Sequence, residues 1–176
     1  MRKTSRGSTM DVVGLKIAII GDQGVGKTSL VLRYTKNTFP ESYMPTLGAD
    51  FSVKEESLAN GKKVQLYLWD LAGNPTFKVM RQYYLAGSHV ILVCFAVDDP
   101  RSFQSARTTL KEISRDRSRN LHVIVVGTKG DLKDLVNKAE IDALCKAEGL
   151  PYVRTSAKTG ENVHALFIKA ATTAIP

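Results

Sequence analysis

Residues 21–30 read GDQGVGKTSL, set between the apolar, β-branched run Leu15–Ile20 (LKIAII) and a helical pattern that continues to about Lys36. That order predicts a strand, a glycine loop and a helix. Gly21–Thr28 fits the phosphate-loop pattern G-x-x-x-x-G-K-[ST] in the strand-to-helix context that gives the pattern its meaning. Glycines let the backbone curl with its N–H groups inward, and a helix N-terminus adds positive potential. Asp22, Gln23, Gly24, Val25, Gly26, Lys27, Thr28 and Ser29 are therefore expected to line a nucleotide's phosphates. Lys27 is placed to reach the β and γ phosphates, and Thr28 to coordinate Mg2+. The bland alternative, a glycine turn with a chance lysine, is disfavoured by the strand before it and the helix after it.

Outward from this loop, FSVKEESL (51–58) and KKVQLYLW (62–69) flank Asn60-Gly61, a dipeptide suited to the positive φ of a tight turn, and predict an antiparallel hairpin. HVILVCFAV (89–97), HVIVVG (122–127) and the short PYVRTS (151–156) read as buried strands, each followed by an amphipathic helical segment. In the last helix Val163, Leu166, Phe167, Ala170 and Ala171 recur at helical spacing after Asn162, a candidate cap. Alternating strands and helices predict an α/β fold: a mixed, mainly parallel sheet of about six strands with helices on both faces. In such a sheet ligands bind beyond the carboxyl ends of the strands, and the loops beginning at Gly21, Asp70, Thr128 and Thr155 all fall there.

Three of those loops carry further chemistry. Asp70 ends the apolar strand VQLYLW and begins D-L-A-G, so it can hold magnesium directly or through a water, although alone it would read as a cap or turn residue. In Thr128-Lys129-Gly130-Asp131 the acid can accept from both the ring N–H and the amino group of guanine, which adenine cannot reciprocate. The aliphatic stem of Lys129 can cover the base. Thr155-Ser156-Ala157-Lys158 ends the last strand, where a backbone N–H can meet the guanine O6 and Lys158 can pack over the ring. TKGD and SAK alone are ordinary turns; their order after a phosphate loop gives them weight.

The chain has 176 residues, enough for one domain that buries roughly 70% of its unfolded surface. Its two cysteines, Cys94 and Cys145, lack metal-ligand spacing and read as buried free thiols in a reducing, cytoplasmic setting. Residues 1–12 are expected to form a disordered basic leader and 13–176 the domain; no apolar stretch of signal-peptide or membrane-spanning length follows the leader. A net charge of +8 suits an anionic partner without choosing one. Arg107, Lys111, Arg115 and Arg119 recur every fourth residue across and just beyond the helix that buries Phe103, Ala106, Leu110 and Ile113. An ordinary solvated face is weighed there against a patch for acidic lipid or protein. Nucleic acid is not expected as a partner, because no basic surface interleaved with aromatics is evident.

Taken in order, GDQGVGKT, PTLGADF, WDLAG, TKGD and TSAK resemble the Ras superfamily of small GTPases, from about Leu15 to the end of the chain. YMPTLGADF, and WDLAG followed by RQYYLAGSHVILV, are most similar to the Rab branch, while TKGD in place of the commoner NK-x-D is similar to the Rho branch. The resemblance implies a P-loop NTPase fold and a monomeric GTP/GDP switch with Mg2+. Exchange factors and GTPase-activating proteins would set its state, and effectors would read it in membrane trafficking or signalling. It makes Thr46 the switch threonine that ligates magnesium and senses the γ-phosphate, and Gly73 a second N–H donor to that phosphate. Tyr43 would close over the phosphates and Phe39 would pack edge-on against guanine, with a plain core aromatic as the alternative for Phe39. Relatives ordinarily anchor to membranes through a lipidated tail; the chain ends at Ile175-Pro176 with no terminal cysteine, and a trimmed tail is the expectation.

Departures from the family pattern fall at the catalytic end. Asn74-Pro75 replaces the usual Gln-Glu after D-x-A-G, where the glutamine orients the attacking water. Asparagine keeps the amide but is one methylene shorter, and Pro75 removes an N–H and stiffens the loop. Gln23 stands where many relatives have a small residue and would point toward the γ-phosphate, either crowding the space an activating arginine would enter or itself contacting the water. Thr128 in place of asparagine costs the side-chain amide that usually ties the base loop to the phosphate loop; guanine selectivity is expected to survive on Asp131, with some loss of affinity. The catalytic set is thus Lys27, Gly73, Asn74 and Gln23, with slow intrinsic hydrolysis. The rival is a nucleotide-holding scaffold with negligible hydrolysis; a small-molecule kinase is disfavoured by the lack of an arginine-bearing lid.

Overall fold

A computed structural model describes residues 12–74, 78–115 and 120–175. Most of the expected leader, together with Pro75 and Arg119, lies outside the described residues. In chain order the elements are β1 (Val13–Gly21), α1 (Lys27–Lys36), β2 (Ala49–Ser57), β3 (Lys63–Leu71), α2 (Lys78–Leu85), β4 (Val90–Ala96), α3 (Pro100–Arg115), β5 (His122–Thr128), α4 (Lys138–Glu148), β6 (Tyr152–Arg154) and α5 (Val163–Ala174). One six-stranded sheet runs in the order β2-β3-β1-β4-β5-β6. Only β2 is antiparallel to its neighbour, with Ala49 opposite Leu71 and Ser57 opposite Lys63; every other pairing is parallel. The mixed, mainly parallel sheet is as the hydrophobic runs predict.

Alternation along β1 explains why helices cover both faces. Leu15, Ile17 and Ile19 join one core with Leu30, Val31 and Tyr34 of α1 and with Val163, Leu166 and Phe167 of α5. Ala18 and Ile20 point to the other, with Phe103, Ala106, Leu110 and Ile113 of α3 and Ile141 and Cys145 of α4. The seven residues of β4 are all buried, as a central strand covered on both faces requires. Parallel pairing brings the carboxyl ends of β1, β3, β5 and β6 to one edge, so the loops after Gly21, Leu71, Thr128 and Arg154 converge there.

The local differences have physical reasons. In the hairpin only Gly61, at φ 79°, takes the left-handed conformation. Asn60 contributes a side-chain acceptor for the Lys62 N–H at 3.1 Å instead. Asn162 occupies the N-cap position of α5 in a left-handed conformation but makes no side-chain cap hydrogen bond; its amide donates to the Arg154 carbonyl at 2.9 Å and ties α5 to β6. Cys94 and Cys145 are free and buried.

Candidate functional site

The phosphate loop has the glycine conformations its spacing calls for. Gly24 and Gly26 sit at φ 78° and 97°, where an L side chain is strained, and α1 starts at the next residue after Gly26. Lys27 is 6% exposed and folds back over the loop, its ammonium donating to the carbonyls of Gly21 at 3.0 Å and Asp22 at 2.9 Å. Burial lowers the pKa of that ammonium, against the opposing pull of Asp70.

Three elements deliver oxygens to one point beside it. Thr28 Oγ1 at the start of α1 donates to Asp70 Oδ2 in β3 at 2.5 Å, and lies 2.8 Å from Thr46 Oγ1 in the segment between α1 and β2. Because the single Thr28 proton is committed to Asp70, Thr46 is the donor of the second bond. Asp70 is 2% exposed, and its Oδ1 is buried with no hydrogen-bond partner among the described residues. Burial raises its carboxyl pKa, opposed by the Thr28 hydrogen bond and by Lys27. A buried carboxylate oxygen without a partner, next to two hydroxyl oxygens, fits a small hard cation that takes oxygen ligands and completes its shell from a bound phosphate. Thr28, Thr46 and Asp70, the three residues expected at the metal, are thus brought together.

Gly73 packs directly on the phosphate loop: a Cβ added there would run into the backbone of Gly21, Asp22 and Gln23. Asn74 follows it, half-buried, while Gln23 is exposed. Gly73 therefore lies against the stretch of loop whose carbonyls Lys27 holds.

On the base side a hydroxyl stands in for the missing amide at residue 128. Thr128 Oγ1 lies 2.5 Å from the carbonyl of Val25 and 2.9 Å from that of Phe95, so the hydroxyl joins the base loop to the phosphate loop in place of an amide. Lys129 takes a left-handed φ of 58°, and its ammonium stands 4.0 Å from Asp98. Asp131 remains exposed but is oriented by Ser156, which is fully buried and donates to Asp131 Oδ1 at 2.6 Å. Backbone bonds from Gly130 N to Thr155 O and from Thr155 N to Gly127 O stitch the two base loops together. Ala157 and Lys158 present their carbonyls to Arg33 of α1. Phe39 and Tyr43 are 44% and 62% exposed, which removes the core-aromatic reading of Phe39 and leaves both rings open on the loop before β2.

Sequence reading misses Arg33 and Asp98, the supports of Ala157, Lys158 and Lys129. An arginine in the middle of an amphipathic helix and an acid after a buried strand carry no signal of their own. Only the fold brings them to the base loops.

A family model for the Ras family matches residues 16–175, the span that contains every residue of this site. The chain belongs to the Ras family. As a Ras-family small GTPase it has the expected P-loop NTPase α/β fold, its six strands flanked by helices. The family in general binds GTP and GDP with magnesium, hydrolyses GTP, and works through regulators and effectors.

Proposed function

We propose that this Ras-family GTPase is a magnesium-dependent, monomeric GTP/GDP switch of Rab-like type whose unaided hydrolysis is slow. The observation that carries the reading is the convergence of Thr28, Thr46 and the buried oxygen of Asp70, which has no partner among the described residues, beside Lys27. These three residues would hold Mg2+, which neutralises charge on the β and γ phosphates. Asp22 through Ser29 line the phosphates, and Lys27 exchanges its backbone carbonyls for phosphate oxygens, which relieves the cost of its burial. Thr46 and Gly73 hold their loops to the γ-phosphate and release them when it is lost. Asp131, Lys129 and the Ser156–Lys158 loop select guanine, Phe39 closes the base from the side, and Tyr43 covers the phosphates.

The sheet face between the switch loops offers a surface to an effector protein. Phe51 on β2, Trp69 on β3 and Tyr84 on α2 form a continuous row with centroid distances of 5.0 and 5.8 Å, and Phe51 is 48% exposed. Met44, Leu47, Val79 and Tyr83 on the flanking segments are also exposed, apolar groups suited to an effector protein. The two buried free thiols suit the cytoplasm.

Residue 74 decides between switch and scaffold. An amide one methylene short of glutamine displaces the group that orients water, and a displacement of about 1 Å can cost roughly 10²-fold in rate. Single-turnover hydrolysis of GTP tests this. Asn74→Gln is expected to raise the rate several-fold and Asn74→Leu to lower it, with Asn74→Gln/Pro75→Glu showing whether loop geometry masks the gain. One rate for wild type, Asn74→Leu and the double variant would remove residue 74 from catalysis and favour the scaffold.

A further inference from the structure

Arg33 sits on α1, away from the phosphate loop, yet one guanidinium makes contacts in two directions. Toward the base loops, Nε donates to the Ala157 carbonyl at 2.6 Å and Nη2 to the Lys158 carbonyl at 3.0 Å. Toward the switch loop, Nη1 donates to the carbonyl of Asn37 at 3.0 Å and to its side-chain oxygen at 3.1 Å. Asn37 is the left-handed C-cap of α1, at φ 53°, two residues before Phe39.

In a trans peptide the carbonyl and the following N–H point in opposite directions, and the described residues contain no cis bond. Holding the Lys158 carbonyl on the Arg33 side therefore aims the Thr159 N–H the other way. That N–H donates to Ser156 Oγ at 3.2 Å, and Ser156 Oγ in turn donates to Asp131 Oδ1 at 2.6 Å. The bonds run in one sense from a cation to a carboxylate: guanidinium, Lys158–Thr159 peptide, Ser156 hydroxyl, Asp131. Each polarises the next, and the charged donor at the head makes the first one strong.

We infer that Arg33 is a positioning residue for guanine, orienting Asp131 through the Lys158–Thr159 peptide and Ser156 while pinning the root of the loop that bears Phe39. Both sides of the base site thereby hang from one side chain of the helix that begins under the phosphates. The inference rests on reading Asp131 and the Ser156–Lys158 loop as the base site, and deepens that reading. Lysine cannot replace the arginine fully, because a point ammonium lacks the planar fork that serves carbonyls in two directions.

Competition against a fluorescent GDP analogue, with GDP, ADP and magnesium pyrophosphate as competitors, tests the assignment on wild type, Arg33→Ala, Arg33→Lys and Ser156→Ala. Arg33→Ala is expected to weaken GDP roughly tenfold or more, as loss of charge-assisted hydrogen bonds does, while pyrophosphate binds as in wild type and ADP loses clearly less than GDP. Arg33→Lys should recover part of the loss. Arg33→Ala/Ser156→Ala should cost little more than the larger single change, because both break one path. Equal weakening of GDP, ADP and pyrophosphate would reduce Arg33 to a brace of the fold and overturn the inference, as would unchanged guanine selectivity in Arg33→Ala. A wild-type protein that holds ADP as tightly as GDP would overturn the base-site reading and the inference with it.

Discussion

A hydroxyl at residue 128 holds together the two loops that a nucleotide would bridge. Its 2.5 Å approach to the Val25 carbonyl makes the Thr128 substitution a shorter version of an amide tie. The sequence shows only that an amide is missing; that a hydroxyl reaches the same loop depends on how closely β5 brings residue 128 to the turn before α1. Thr128→Val keeps the shape and removes the bond, so the Val25 carbonyl loses a donor. GDP should leave the variant faster than wild type, and the denaturation midpoint should fall by the equivalent of about 1–3 kcal/mol. Thr128→Ser should behave as wild type, and unchanged GDP release from Thr128→Val would show that the tie is idle. The metal set is the opposite case: Thr28, Thr46 and Asp70 can each be named from the sequence with the help of a family resemblance. What the sequence cannot supply is that Asp70 keeps a buried oxygen without a partner among the described residues, a property of packing.

Among the elements, strands and long helices can be read from pattern because burial on one face or both writes itself into the order of apolar residues. The run VILVCFA is buried at every position, and the α5 residues chosen by helical spacing all lie in one core. Where pattern fails, a side chain has found a tertiary partner that competes with its local role, as Asn162 does by bonding the Arg154 carbonyl instead of capping α5. Central burial also has a consequence that can be titrated. Burial pushes the Cys94 thiol from 9.0 up to about 12. A folded-state value above the unfolded one contributes stability that is whole below the unfolded pKa and is lost as pH rises from 9.0 toward 12. Urea midpoints of wild type should therefore fall more steeply than those of Cys94→Ala between about pH 9 and pH 11. Parallel curves for the two proteins would mean that the β4 thiol gains water on the folded side.

For the whole molecule, the sheet's polarity explains why separate stretches of sequence form one site. Five parallel-paired strands place the phosphate loop, the loop with Gly73 and the two base loops on a single edge, and the net charge of +8 favours approach of a polyphosphate. Inside the site, a buried ammonium at Lys27 and a buried carboxylate at Asp70 are both shifted toward neutrality by burial. A magnesium-bound phosphate would favour both charged forms at once. The central claim is that this edge reads guanine through Asp131, and Asp131→Asn tests it most directly. In equilibrium competition with GDP, XDP and ADP in the presence of magnesium, wild type should prefer GDP and reject ADP. Asp131→Asn should transfer the preference to XDP, because xanthine presents an oxygen where guanine presents the amino group that a carboxylate accepts. Wild-type protein in which ADP competes as well as GDP, or an Asp131→Asn variant that still prefers GDP to XDP, would contradict the account.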